Sequence, residues 1–131
     1  MSKHDENYWR HKLSKDQFYV LRQKGTEAPF TGKLWNQFQS GIYKCAGCKE
    51  SLFESQAKFE SGCGWPSFNT ALDKKKIRIQ KDLSHGMIRN EVLCANCGGH
   101  LGHIFDDGPA PTGLRFCINS TALEFDPQDE P

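Results

Sequence analysis

Cys45-Ala-Gly-Cys48-Lys-Glu-Ser-Leu52 and Cys94-Ala-Asn-Cys97-Gly-Gly-His-Leu101 are two versions of one pattern, Cys-Ala-x-Cys-x-x-x-Leu. Each pair bends the chain into a tight knuckle that aims two sulfurs at one point. Two facing knuckles supply the four thiolates of a closed, tetrahedral zinc site. The competing reading is a redox Cys-x-x-Cys, which needs a strand before it and a helix after. Gly98-Gly99 follows the second pair, and no strand–helix–strand pattern surrounds either. Simple burial as small hydrophobes is the third reading, and two matched pairs argue against it. The long interval between the pairs requires intervening strands. A β-rich fold stapled by a structural zinc on Cys45, Cys48, Cys94 and Cys97 is expected.

The rest of the composition narrows the class. The chain has 131 residues, 37% of them apolar, with nine Phe and three Trp, enough for one modest core. One domain over 1–131 is expected. Seventeen Lys and Arg against 16 Asp and Glu leave a net charge of +1, so no bulk field favours nucleic acid or anionic lipid. Apolar runs are far short of a membrane span, and the charged first residues lack the apolar stretch of a signal peptide. Six cysteines are too few for a disulfide scaffold of this length. A soluble domain of the reducing cytoplasm, without nucleic-acid or membrane partners, is expected.

Local patterns set the elements. Ser14-Lys-Asp-Gln17 fits a capping box, Phe18, Leu21 and Arg22 follow at helical spacing, and Gly25 is a plausible stop. Ala28-Pro29-Phe30-Thr31-Gly32 breaks regular structure. Gly41 to Cys45, Ile77 to Gln80, Met87 to Cys94 and Leu114 to Thr121 read as strands. The acidic tail, Asp126 to Pro131, reads as frayed.

Subtracting the knuckles leaves Cys63 and Cys117. Period-two alternation turns Leu114, Phe116 and Ile118 to a core and Arg115, Cys117, Asn119 and Thr121 to the other face. A guanidinium beside Cys117 favours the thiolate. An ordinary half-buried strand cysteine fits the same pattern, and both readings stay open. Cys63 sits in Ser61-Gly-Cys-Gly-Trp65-Pro66-Ser67-Phe68, either as a reactive loop thiol beside an apolar plate or as an incidental neighbour of a core Trp. His100 and His103 are open to three readings: ligands of a second metal, proton donors, or solvated loop residues.

Several longer segments carry a resemblance. Ser61-Gly-Cys-Gly-Trp-Pro-Ser-Phe68, Gly99-His-Leu-Gly-His-Ile-Phe105, Leu114-Arg-Phe-Cys-Ile-Asn-Ser120 and Asp82-Leu-Ser-His-Gly86, together with both Cys-x-x-Cys pairs, resemble the B-type methionine sulfoxide reductases. The resemblance runs unbroken over about residues 14–125. It implies a mostly β fold of two antiparallel sheets with short N-terminal helices and one structural zinc per chain. It further implies reduction of methionine-(R)-sulfoxide in proteins, with the free amino acid left open as a second substrate. By the resemblance, Cys117 is the nucleophile and Cys63 the resolving thiol. Trp65 and Phe105 bind substrate, while His100, His103, Asp107, Arg115 and Asn119 surround the reacting sulfur and oxygen.

The implied chemistry suits these residue types. A thiolate at Cys117 attacks the electrophilic sulfur while an imidazole, His103, protonates the departing oxygen. The sulfenic acid left on Cys117 condenses with Cys63 to a disulfide, which thioredoxin or a similar dithiol reduces. A monomer acting on oxidised proteins is expected. Two other classes compete. A zinc-ribbon binding module would need a basic stripe, and a thiol peroxidase or redox sensor gives Trp65 no role.

Overall fold

The computed structural model describes residues 6–83 and 86–128. Ser84 and His85, within the Asp82–Gly86 motif, lie outside the described residues, as do 1–5 and 129–131. The described chain forms helices α1 (Glu6–Lys12) and α2 (Lys15–Gln23), then strands β1 (Gly41–Cys45), β2 (Ser51–Glu54), β3 (Ser67–Phe68) and β4 (Ile77–Asp82). Strands β5 (Arg89–Cys94), β6 (His100–Phe105), β7 (Arg115–Ile118) and β8 (Leu123–Pro127) complete it. They make two antiparallel sheets, in the orders β2-β1-β8 and β3-β7-β6-β5-β4. No described helix is long and apolar enough to cross a membrane.

Helix α2 begins where the capping box predicts. The Ser14 hydroxyl accepts from the Gln17 amide at 3.1 Å, and the Gln17 side chain accepts from the Ser14 amide at 2.9 Å. The left-handed turn that ends it falls one residue before the expected Gly25, on Lys24 at φ 59°. The Gly25 amide still closes the helix by donating to the Tyr19 carbonyl at 2.9 Å. A Cβ on Gly25 would lie 2.2 Å from the Tyr19 ring, so the glycine serves close packing.

Strand β1 has its expected bounds. Strand β4 runs two residues beyond Gln80, and β5 starts at Arg89, leaving Met87 and Ile88 exposed outside it. Strands β2, β3 and β6 lack strong alternation in sequence, whereas β8, Leu123-Glu-Phe-Asp126, alternates and was not among the expected strands. The expectation of a frayed tail over 126–131 is corrected for 126–128, the part that lies within the described residues. Asp126 and Pro127 pair with Ile42 and Gly41, and the Gln128 amide donates to Ser40 at 3.0 Å. Pro127 lacks an N–H, and the terminal position in its strand spares the ladder that loss.

Both sheets turn aromatic faces inward. Phe53 stacks on Phe68 with ring centroids 4.4 Å apart, and Tyr43 meets Phe68 edge-on at 5.0 Å. Leu52, Val92, Leu101, Phe116 and Ile118 fill the remaining core. The Tyr43 hydroxyl donates to the Gln37 carbonyl, and burial raises its pKa to about 12.

In β7, Phe116 and Ile118 face the core while Arg115 and Cys117 face away, as alternation requires. Thr121 departs from that face. The chain enters a tight 3-10 turn at Ser120–Ala122, and Thr121 donates to Glu27 instead.

Gly102 of β6 lies opposite Ile118, where a Cβ would fall 2.1 Å from the Cys117 carbonyl oxygen. Only glycine lets β6 and β7 pair this closely. Gly102→Ala should destabilise the fold by about 2 kcal/mol, read by denaturant titration. Gly47→Ala, whose Cβ would make only ordinary contacts, should not.

Candidate active site

Residue type and register bring the sulfurs together. Strand β7 carries Cys117 between two partners, with His103 of β6 opposite on one side and Ser67 of β3 on the other. The loop before β3 turns sharply at Gly62 and Gly64, with φ of 77° and 89°. This brings the Cys63 sulfur within 3.3 Å of the Cys117 sulfur. The two thiols touch without being bonded.

A cavity of about 250 Å³ opens over this pair. Cys63, Trp65, His103, Phe105, Arg115, Cys117 and Asn119 line it, all expected from sequence. Thr26, Arg89 and Gly102 line it as well and were not expected.

Two expected residues stand behind the wall. Asp107 is exposed and grips Arg115 through both oxygens, at 2.9 and 3.2 Å. Arg115 lies over the Phe105 ring, 4.5 Å from its centroid. His100 is buried, with Nδ1 2.6 Å from the buried Glu91 carboxylate and its ring edge-on to His103. Burial pushes the His100 pKa below its ordinary value, against the pull of Glu91. Neither Asp107 nor His100 reaches the cavity lining.

His103 is the imidazole that does reach it. Its Nε2 lies 2.8 Å from the Asp82 carboxylate, so Nε2 carries a proton and the ring orientation is fixed. Arg89 reaches the same carboxylate at 3.4 Å. Asp82 belongs to a motif visible in sequence. Its partner, 21 residues away, is not.

The thiols differ in acidity. Burial pushes the Cys63 thiol up, but the hydroxyls of Ser61 and Ser67, the Trp65 backbone and the Cys117 sulfur together outweigh it, bringing the value to about 7. Cys117 goes the other way. Burial and the neighbouring Cys63 raise it, and Arg115 only partly opposes them. The expected pull of Arg115 toward the Cys117 thiolate is present but outweighed by burial and by Cys63. The guanidinium is engaged by Asp107, and the strand buries the sulfur.

Glu27, unmarked in sequence, ties the pocket walls together. Its amide donates to the Asn119 side chain at 3.0 Å, and its carbonyl accepts from the Trp65 indole at 2.9 Å. Its carboxylate accepts from the amides of Ser120 and Thr121 and from the Thr121 hydroxyl.

The four knuckle sulfurs form a separate centre. All lie within 4.8 Å of one another, with Cys45–Cys97 at 3.7 Å and Cys48–Cys94 at 3.5 Å. Bonds of ~2.3 Å to a central ion put tetrahedral sulfurs ~3.8 Å apart. Donor set and spacing thus fit a closed metal site. Strand β5 runs from Arg89 at the cavity to Cys94 at the knuckles, a span of ~17 Å at ~3.3 Å per residue. The four-sulfur cluster is remote from the reactive sulfurs.

Comparison with known proteins agrees with this geometry. The SelR domain profile matches residues 13–127. A protein of Bradyrhizobium diazoefficiens named peptide methionine sulfoxide reductase MsrB is 57% identical over 123 residues, covering 94% of this chain and 88% of its own. A Thiobacillus denitrificans protein of the same name is 54% identical, covering 92% of each chain. Among solved structures, the Mis18 "Yippee-like" domain shares the fold, with a TM-score of 0.56 at 14% identity over 70% of this chain and all of its own.

Glu27→Ala should cost about 3 kcal/mol, since it strips the acceptor from two backbone amides and a hydroxyl. Glu27→Gln, which keeps one carbonyl oxygen, should lose less. Thermal unfolding of both variants checks the order.

Proposed function

The chain belongs to the SelR domain family of methionine sulfoxide reductases, and from that premise we propose which residues carry the reduction and how they share it. The observation that carries the reading is the Cys63–Cys117 contact at 3.3 Å on the floor of a cavity walled by Trp65 and Phe105. An apolar wall suits a thioether methyl group, and Arg115, Asn119 and His103 supply polar groups for a sulfoxide oxygen.

Cys117 gives its proton to solvent in the open cavity and attacks the sulfoxide sulfur as a thiolate, the form the neighbouring Arg115 favours. His103, its Nε2–H held by Asp82, protonates the oxygen from its other ring nitrogen, Nδ1. The protonated oxygen passes from the substrate sulfur to the Cys117 sulfur as the bond between the two sulfurs breaks, so methionine departs and Cys117 is left as a sulfenic acid, a two-electron oxidation of that cysteine. The Cys63 thiolate then attacks the Cys117 sulfur. A disulfide forms, and hydroxide leaves to become water. Thioredoxin or a similar dithiol returns both cysteines to thiols by exchange. A cavity with one fixed wall and one fixed proton donor is handed, and the R epimer is the assigned substrate, in oxidised proteins.

Zinc is the assigned metal on Cys45, Cys48, Cys94 and Cys97, where it supplies cross-linking and no redox chemistry. Metal analysis should find about one zinc per chain. Cys48→Ser should lower the unfolding midpoint by on the order of 10 °C.

The reaction is tested with separated sulfoxide epimers and two reductants. The unaltered enzyme should reduce the R epimer and leave the S epimer. Cys117→Ser should lose reduction with every reductant. Cys63→Ser should release one methionine per enzyme and then stall with thioredoxin, while dithiothreitol restores some turnover. Normal thioredoxin-driven cycling by Cys63→Ser would remove Cys63 from the mechanism.

A further inference from the structure

The Cys63 sulfur sits in a cradle of hydroxyls. The Ser61 Oγ lies 2.9 Å from it and the Ser67 Oγ 3.4 Å, and the two hydroxyls are 2.7 Å apart. The Cys63 amide donates to the Ser61 Oγ at 3.3 Å, and the Ser67 hydroxyl donates to the Trp65 carbonyl at 3.1 Å. Ser67 is fully buried and sits opposite Cys117 in the ladder, so its hydroxyl shares a face with both sulfurs. Gly64 permits the loop this shape: a Cβ there would fall 2.6 Å from Pro29.

We propose that Ser61 and Ser67 are positioning residues for disulfide formation: their hydroxyls hold the Cys63 sulfur as a thiolate aimed at Cys117. Proton counting supports it. The two hydroxyls carry two protons, and around them lie three acceptors: the Cys63 sulfur, the Trp65 carbonyl and the other hydroxyl's oxygen. A Cys63 thiol sends its own proton to the Trp65 carbonyl, 3.6 Å away, and competes with Ser67 for it. A thiolate ends that competition: Ser67 keeps the Trp65 carbonyl and the Ser61 proton goes to the sulfur, which favours the charged form. The value of about 7 brought about by these bonds against burial is in keeping with the geometry. The charged or titratable groups sharing the cavity are Arg89, His103, Arg115 and Cys117, and the serine substitutions leave all four in place.

The role rests on Cys63 being the resolving thiol. In the step concerned, the Cys63 thiolate attacks the Cys117 sulfenic acid, the sulfur–sulfur bond forms, and hydroxide leaves and takes up a proton. Fewer thiolates at neutral pH mean slower closure. Methionine release precedes this attack and does not require it.

The test has two arms. In a Cys117→Ser background, the pH dependence of Cys63 alkylation by iodoacetamide is followed by mass spectrometry of its peptide. Adding Ser61→Ala, or Ser67→Ala, should raise the midpoint by at least one pH unit, and Ser61→Thr should restore it. In the chain with both cysteines, stoichiometric sulfoxide should still yield one methionine per enzyme. Disulfide formation at pH 7 should slow about fivefold, the loss of thiolate that a one-unit rise from about 7 implies. Ser61 is exposed, so its variants keep the test valid if Ser67→Ala fails to fold. An unmoved alkylation midpoint, or unchanged disulfide formation in an enzyme that forms it normally, overturns the role of the serines. Absence of any Cys63–Cys117 disulfide in the unaltered enzyme overturns the resolving role of Cys63 instead.

Discussion

Four sulfur atoms confined within 4.8 Å hold the ends of two sheets at one point, and the rest of the molecule is arranged around that constraint. Cys45 closes β1 in the three-stranded sheet, and Cys94 closes β5 in the five-stranded one. Pinning these ends fixes how the sheets face each other, and so where Phe53, Phe68 and Tyr43 meet. A core of this size gains from such a staple, because its apolar surface alone offers a thin margin over chain entropy. The helices complete the arrangement. Gly47 of one knuckle lies against Trp9 and Leu21, Gly99 of the other lies against Leu21, and Arg22 donates to the Cys97 carbonyl.

With one end of the sheets fixed, the other end is free to be a site. Strands β5, β6 and β7 deliver Arg89, His103 and Cys117 to one cavity by register alone. Their supports come from elsewhere: Asp82 from the end of β4, Asp107 from the loop before β7, and Glu27 from the segment after α2. Rigid strands set the reacting atoms, and loops set the side chains' orientation.

Legibility in sequence followed distance along the chain. The capping box, the knuckle pairs and the bounds of β1 are local patterns, and all were readable. So was the reactive face of β7, where Arg115 and Cys117 alternate with buried residues. Strand β6 was not, because its first four residues, His100 to His103, are buried together and show no alternation. Glu27 was invisible for another reason. Its partners Asn119, Ser120 and Thr121 lie more than 90 residues away, and nothing around it repeats. The acidity of Cys117 was only half legible: a neighbouring arginine can be read in sequence, but not the burial of the sulfur or its contact with Cys63, which outweigh that arginine.

The segment from α1 to Glu27 touches both working parts of the molecule, first the knuckles through Trp9 and Leu21, then the pocket wall through Glu27. Mechanically these are buttons in series on one strap. Under tension applied at the N-terminus, load would fall first on helices that rest by side-chain packing, and these would peel away. Only then would it reach the carboxylate clasp at Ser120 and Thr121, where three hydrogen bonds are loaded together. The metal centre would lose its cover before the pocket lost its wall. A tether or fusion at this end therefore strains the scaffold ahead of the chemistry.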